Sequence, residues 1–371
     1  MNIKSRIRQK RHCEADEVSR SNLKAELLRF ARNDRFFAVA CLINFLFLSG
    51  CAEAPLVKKA QPALGTIVEI TVADKDKPRP FLNAAIELAF AEIERVEHLL
   101  SRFNPESDIS RINAYACLKP TEVSPETIRL IEESIKFSRI TQGAFDITVC
   151  PLMQAWGFEE KYKRHPPDLE QIKEALDKVG YRNINILKQE QSVFLAQPAM
   201  SLDLGGIAKG YAVDKAIAVL RQEGIKNALV NAGGDIYALG VRGKNRKWRV
   251  AVQHPRKNQA VLAMLELEDK AVATSGDYQK YIEISGRRYS HIINPESGNP
   301  CSEVPASVTV LAGDCLAADA LATSIFVLGP KKGIDLVNRL ENTEAIVAAF
   351  PQDKLGISLS QGLKGKLKVT P

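Results

Sequence analysis

Asp319 and Thr323 lie four residues apart in "DCLAADALATSIFVLG", whose apolar spacing predicts a helix that begins near Asp314 and ends at Gly329. One face of such a helix carries a carboxylate and a hydroxyl oxygen together. Hard oxygen donors at this spacing suit Mg²⁺, which takes carboxylates, neutral oxygens, waters and substrate phosphates. From spacing alone, a solvated aspartate beside a helix-filling threonine is the simpler reading. The apolar setting weighs against it, because an aspartate buried there without a partner is costly.

A second stretch, "DLGGIAKGYAVDKA" (203–216), sets two glycines and Lys209 where an apolar run meets a helical pattern. The preceding "VFLAQPAMSLDL" reads as a strand. "IAKGYAVDKAIAVLRQEG" predicts a helix with Gly224 as its stop. A glycine turn feeding a helix start offers unpaired N–H groups and a positive dipole end, which suits an anion. Asp203 at the mouth of such a site is an apparent conflict. Neither GxxxxGK[ST] nor GxGxxG occurs in this motif, which excludes a Walker loop and a dinucleotide fingerprint here. Tight packing is the other use of such glycines.

His291 stands in "YSHIINPESGNP", between a strand and a Pro/Gly turn. Histidine is the usual proton carrier near neutral pH; taken alone, this one fits a structural role equally well. His98, His165 and His254 show no metal-pair spacing. Asp146 follows an aromatic in "TQGAFDITVCPL", and "VNAGGDI" ends a strand in a double glycine. Glycine-rich strand ends around one crevice suit a ligand with an extended phosphate or ring system.

The elements that must position these residues are legible in outline. "LGTIVEITVA" (Leu64 to Ala73) alternates as a strand, and Ile86, Phe90, Ile93 and Leu100 recur on a helical face. Ser124 and Pro125 open a helix as N-cap and first helical residue. Asp168 and Gln171 have capping-box spacing, with Gly180 as the stop. Charged, Pro-rich "FEEKYKRHPPD" reads as an exposed excursion. From residue 183 strands dominate, broken by the helices after Ile207 and Asp314, and "EAIVAAF" with a C-terminal hairpin closes the chain. With no repeat and no low-complexity linker, the pattern predicts a single compact α/β (mixed α+β) body with a mixed sheet and crossover helices.

At 371 residues, with 45% hydrophobic and 26% charged content, the chain can bury a substantial core. Its formal charge of +7 is concentrated at the start: residues 1–50 hold 10 Lys and Arg against 5 Asp and Glu, which leaves the remainder at +2. A nearly neutral body offers no electrostatic case for nucleic acid. Arg32 and Arg35 lead into "FFAVACLINFLFLSGC" (36–51), shorter than a comfortable membrane span and ending in small residues. This reads as a secretory signal, ahead of a buried apolar helix or a simple anchor. "LSGC" resembles the lipobox of bacterial lipoproteins, which implies cleavage before Cys51 and acylation of its thiol. Residues 1–31 are too long and mixed for an n-region and point to a start codon assigned too far upstream. Cys13 and Cys41 would leave with the leader. Cys117, Cys150, Cys301 and Cys315 remain, without CxxC, which argues against zinc and leaves any disulfide pairing open.

Taken together, the stretches "LGT", "LLSRFNPESDISRIN", "GAFDITVCPLMQAWGF", "LDLGGIAKGYAVD", "LVNAGGDI", "AVATSGDYQKY", "YSHIINPESG" and "AADALATSIFVLG" closely resemble the bacterial FAD:protein FMN transferase family. That family is also called the ApbE or thiamine-biosynthesis lipoprotein family, and the resemblance runs from Leu64 to Gly329. It implies an ApbE/T-fold-like body and Mg²⁺-dependent transfer of the FMN half of FAD to a Ser or Thr hydroxyl of a target flavoprotein, releasing AMP. The implied organisation is a leader with lipoprotein signal over 1–50, a lipidated tether over 51–62 and an FAD-binding transferase domain over 63–371. The implied metal ligands are Asp319, Thr323 and main-chain or nearby oxygens at Gly206 and Ala322. FAD contacts fall at Leu64, Phe103, Ala144, Phe145, Asp146, Asp203, Lys209 and Ile293. His291 takes the position of the general base, and Asp277 in "TSGDYQKY" is a candidate to orient it.

The resemblance also removes the conflict at the glycine turn, since Asp203 would anchor the nucleotide while Gly206 and Lys209 serve the pyrophosphate. Departures from the family pattern are Leu64 where Met is common, Phe103 for Tyr, Cys150 for Gly, and Ala322 where some relatives supply a carboxylate. Two alternatives stay open: a Mg²⁺-dependent FAD pyrophosphatase giving FMN and AMP, and a non-enzymatic FAD-binding lipoprotein. The expected partners are FAD, subunits of membrane redox complexes and, through Cys51, a bacterial membrane. The expected location of the body is the periplasmic or extracytoplasmic side.

Overall fold

The computed structural model describes residues 56–158, 165–243, 246–301 and 305–369. The expected leader, Cys51 and residues 159–164 of the charged stretch lie outside them. Strand β1 (Val57–Ala63) pairs with β2 (Thr66–Val72) as an antiparallel hairpin. The folded body therefore begins by Val57, inside the segment expected to be a tether. Leu64 and Gly65 form the two-residue turn, with φ of 54° and 68°. Positive φ at both positions is the type I′ arrangement whose twist matches the flanking strands. Leu64 is thus a turn residue and not the first residue of a strand.

These strands open an eight-stranded sheet in the order β1-β2-β6-β7-β10-β13-β14-β15. Its later members are β6 (Ala228–Ala232), β7 (Asp235–Leu239), β10 (Lys270–Gly276), β13 (Ser307–Ala312), β14 (Glu344–Ala349) and β15 (Gly356–Leu359). Every neighbouring pair is antiparallel, so the expected mixed sheet is corrected to an antiparallel one. A helical connection usually returns the chain for a parallel pairing. Helix α7 (Cys315–Val337), between β13 and β14, instead breaks at Gly329 (φ 78°, ψ 173°) before Pro330, and β14 runs antiparallel to β13.

Both faces of this sheet are buried, which explains the continuous apolar runs. Tyr237, Leu239, Ala271, Ala273, Ala345 and Val347 face one core with α1 (Arg79–Leu100), α6 (Ala208–Gln222) and α7. Their neighbours Ile236, Ala238, Val272, Ile346 and Ala348 face a second core, formed with β8 (Trp248–Gln253) and β9 (Val261–Leu267). The period-two alternation of strand side chains assigns successive residues to opposite layers.

The caps form as their residue types dictate. Helix α2 (Asp108–Ala114) is capped by Ser107, and α3 (Pro125–Ile140) by Ser124, whose hydroxyl accepts from Thr127 N–H. Two short helices follow, α4 (Cys150–Trp156) and α5 (Leu169–Leu176). In α5 the Asp168/Gln171 capping box closes in both directions. Three-stranded pairing of β3 (Thr121–Glu122), β5 (Ser192–Leu195) and β4 (Ile184–Leu187) forms a satellite sheet, and β11 (Tyr281–Ile284) pairs with β12 (Arg287–Ser290). No helix among the described residues is long and apolar enough to cross a membrane. Cys117, Cys301 and Cys315 are free thiols.

Candidate active site

The strand expected to run into "SLDL" stops at Leu195, and Pro198 and Ala199 (φ 55°) turn the chain. Residues 200–204 continue without a ladder partner and are clasped by side chains instead. The Asn113 amide donates to Leu202 O at 3.0 Å and accepts from Leu202 N–H at 2.7 Å, taking the place of a neighbouring strand. Asp203 N–H donates to Ile147 O at 2.7 Å. The Leu202 N–H and C=O and the Asp203 N–H are thereby paired without a strand, and Asp203 lines a cavity of about 990 Å³.

Asp203 is not a bare acid. Arg102 Nε donates to its Oδ2 at 2.7 Å and Gly205 N–H donates to its Oδ1, also at 2.7 Å. Both side chains of the ion pair are nearly buried, and the Arg102 guanidinium also lies 4.1 Å from the centre of the Phe103 ring. The acid at the glycine turn is therefore neutralised from within the chain by a residue 101 positions away.

The start of α6 also finds an internal anion. Gly210 N–H donates to Asp319 Oδ2 at 3.1 Å, and Ala208 N–H goes to Leu204 O. The expectation of a helix start presenting its N–H groups to a ligand is thus corrected at these two positions. The positive end of the helix faces the carboxylate of α7. Lys209, beside that bond, hydrogen-bonds Asp235 Oδ2, with its Nζ 3.7 Å from Asp319 Oδ2. Burial works against the Lys209 charge, but Asp235 and Asp319 more than offset it and hold the amine protonated. Asp235 is pushed above the usual carboxylate range by burial and by Asp319, against the pull of Lys209.

Asp319 and Thr323 do share one face, and Gly206 comes to meet them. A Cβ at Gly206 would crowd Thr323 Oγ1 at 3.3 Å and Phe145 Cε2 at 3.2 Å, so glycine brings the main chain close to the hydroxyl. Ser275 Oγ lies 3.5 Å from Thr323 Oγ1. No group of three or more His, Cys, Asp or Glu gathers among the described residues. A buried carboxylate, two hydroxyls and a close main chain form instead a hard-oxygen set that fits Mg²⁺. Ala322 does not line the cavity. It is fully buried within α7.

His291 faces the same cavity from the end of the β11–β12 hairpin. Its Nδ1 lies 2.9 Å from Lys280 O, and its backbone N–H donates to the same oxygen at 3.2 Å. A carbonyl only accepts, so Nδ1 carries the proton and the Nε2 lone pair is left available. Burial lowers the imidazole to about 4, with the Lys280 carbonyl opposing and the Lys280 ammonium adding to the shift. The ring is neutral at pH 7. Asp277, expected to orient this base, instead forms a two-pronged pair with Arg256 at 2.7 and 2.5 Å. Main chain therefore supplies the orientation.

Leu64, Phe103, Ala144, Phe145 and Ile293 all line the cavity. Phe103 is 72% exposed at its edge. Asp146 lines it too, but its oxygens are engaged by Thr148 N–H at 2.9 Å, the Thr148 hydroxyl at 2.6 Å and Tyr181 N–H at 2.8 Å. Its carboxylate braces the wall, and burial pushes it above the usual range. Sequence reasoning missed Arg102, Asn113, Asp235 and Lys280. Only Asp235 had a local signal, the double glycine that turns the chain just before it.

The chain matches the model of the ApbE family over residues 64–347. It is 34% identical over 320 residues to a protein of Escherichia coli strain K12 named FAD:protein FMN transferase, covering 82% of this chain and 90% of that one. Its fold is similar to the crystal structure of the ApbE protein of Thermotoga maritima, with a TM-score of 0.76 and 33% identity over 84% of this chain and 98% of the other. It is also similar to the flavin transferase ApbE of Vibrio cholerae, with a TM-score of 0.73 and 29% identity over 84% and 99% of the two chains. The matched span runs from the Leu64 turn into β14 and takes in both the clasped Asp203 segment and the Asp319 helix, so this chain belongs to the ApbE family.

Proposed function

We propose that this chain transfers the FMN half of FAD to a Ser or Thr hydroxyl of an acceptor protein and releases AMP. The observation that carries this reading is His291, a neutral imidazole whose Nδ1–H is spent on Lys280 O and which lines the same cavity as Asp319 and Thr323. An alcohol is a poor nucleophile until a base removes its proton, an effect typically worth about 10²–10⁴-fold. His291 Nε2 takes that proton as the acceptor oxygen bonds to the FMN phosphorus. The bond from that phosphorus to the bridging oxygen breaks, and AMP leaves with both of that bond's electrons.

Negative charge builds on the phosphates during this exchange, and Lys209 supplies a fixed cation beside them. Asp319, Thr323 and the main chain at Gly206 would hold Mg²⁺, which supplies Lewis-acid stabilisation of the diphosphate when bound. Leu64, Phe103, Phe145 and Ile293 offer apolar surface to the ring systems, and the Asp203–Arg102 pair offers a polar edge for the nucleotide. The "LSGC" motif supports lipidation at Cys51 and an extracytoplasmic site of action on membrane redox subunits.

The test is to incubate the protein with FAD, Mg²⁺ and an acceptor flavoprotein domain and to weigh the acceptor intact. A mass gain equal to covalent FMN, with AMP released in equal amount, is the expected result. Free FMN with an unmodified acceptor would replace transfer by hydrolysis. Asp319→Ala should abolish the Mg²⁺-dependent transfer, and His291→Ala should depress transfer while FAD still binds.

A further inference from the structure

Three charged side chains from three elements meet at one edge of the cavity: Lys209 of α6, Asp319 of α7 and Asp235 of β7. Asp235 is placed by the β6–β7 turn, where Gly233 (φ 61°) and Gly234 (φ 106°) take conformations that L side chains rarely adopt. A Cβ at Gly233 would lie 2.5 Å from Thr66 Oγ1, so the turn is also pressed against β2. The Asp235 and Asp319 side chains are 3% and 5% exposed, whereas Lys209 is 32% exposed and reaches the cavity. The ammonium does not share itself evenly: it hydrogen-bonds Asp235 and stays 3.7 Å from Asp319.

We propose that Asp235 is a positioning residue for the cation site: it draws the Lys209 ammonium to itself and so keeps the Asp319 carboxylate available to a divalent cation. This rests on the reading of Asp319 as a metal ligand. The charges give the reason. With both carboxyls ionised, Lys209, Asp235 and Asp319 sum to one negative charge, which attracts a divalent cation; because burial and Asp319 raise Asp235, binding is measured at mildly alkaline pH. Without Asp235 the sum is zero, and the only remaining carboxylate of the three is the one the cation needs. Lysine and cation would then compete for Asp319. At about 4 Å and an effective dielectric constant of about 20, unit charges interact by several times RT, enough for a large change in cation affinity.

The experiment measures binding of Mn²⁺, a paramagnetic substitute for Mg²⁺, to the FAD-free full chain by electron paramagnetic resonance and calorimetry. Asp235→Asn should weaken binding about tenfold or more. Adding Lys209→Met to that variant restores the single negative charge and should return affinity to within about threefold of wild type, a recovery that a merely structural role for Asp235 would not produce. Lys209→Met alone should tighten binding, which keeps the proposal testable if Asp235→Asn does not fold. Unchanged affinity in Asp235→Asn, no recovery in the double variant, or weaker binding in Lys209→Met would each overturn it. Asp319→Ala separates the two ideas. If it binds Mn²⁺ as wild type does, the metal reading itself fails; if it loses binding while Asp235→Asn does not, only the present proposal fails.

Discussion

The Gly210 amide donates to Asp319 Oδ2 across 3.1 Å, joining the first turn of α6 to the helix that carries the candidate metal face. A Cβ at Gly210 would stand 2.3 Å from Cys315 O and 2.9 Å from Asp319 Cβ. Glycine in a helix usually costs about 0.5–1 kcal/mol relative to alanine. Here the sign reverses. Gly210→Ala should lower stability by about 1–3 kcal/mol through overpacking. A thermal melt that showed equal or greater stability would contradict this contact.

Arg102 and Asp203 provide a second test. Removing the guanidinium leaves a largely buried carboxylate with one donor fewer and takes the cation from the Phe103 ring. Arg102→Ala should cost about 1–3 kcal/mol of stability and weaken FAD binding measured by calorimetry. Arg102→Lys keeps the charge but not the planar stack, and should fall between alanine and wild type.

Leu64 occupies a left-handed turn position that a branched side chain adopts at a cost of roughly 1–2 kcal/mol. Its N–H is held by Glu97 Oε2 at 2.9 Å. Leu64→Gly relieves the strain but loses packing, so stability should stay within about 1 kcal/mol of wild type. FAD affinity should still fall, because the side chain lines the cavity. Unchanged FAD affinity would remove Leu64 from the binding surface.

The pH dependence follows from His291. Its neutral form must act, and burial lowers it to about 4 from an ordinary 6.5. Transfer should therefore persist as pH falls through 6.5 and fail only as it approaches 4. A single-turnover pH profile checks this, and an acid limb centred near 6.5 would show the imidazole to be solvated.

Local rules made several parts of this protein legible in its sequence. The Ser124 cap, the Asp168/Gln171 capping box, the Gly224 stop and the Asp319/Thr323 face each depend on neighbours within one or two turns, where helical geometry is the same in any fold. The resemblance of ordered motifs carried the rest of the expected site, and most of those residues line one cavity. Antiparallel pairing throughout the main sheet was beyond such rules, because strand direction is set by how each connection returns the chain over the sheet, a non-local property.

The partners of the charged groups belong to the tertiary structure alone. Arg102 meets Asp203, Lys209 turns to Asp235, and His291 rests on a carbonyl and not on Asp277. A side chain's type states what it can bond. Which of many possible partners it reaches across a hundred residues is decided by sheet order and helix approach, since a hydrogen bond needs its atoms within about 3 Å.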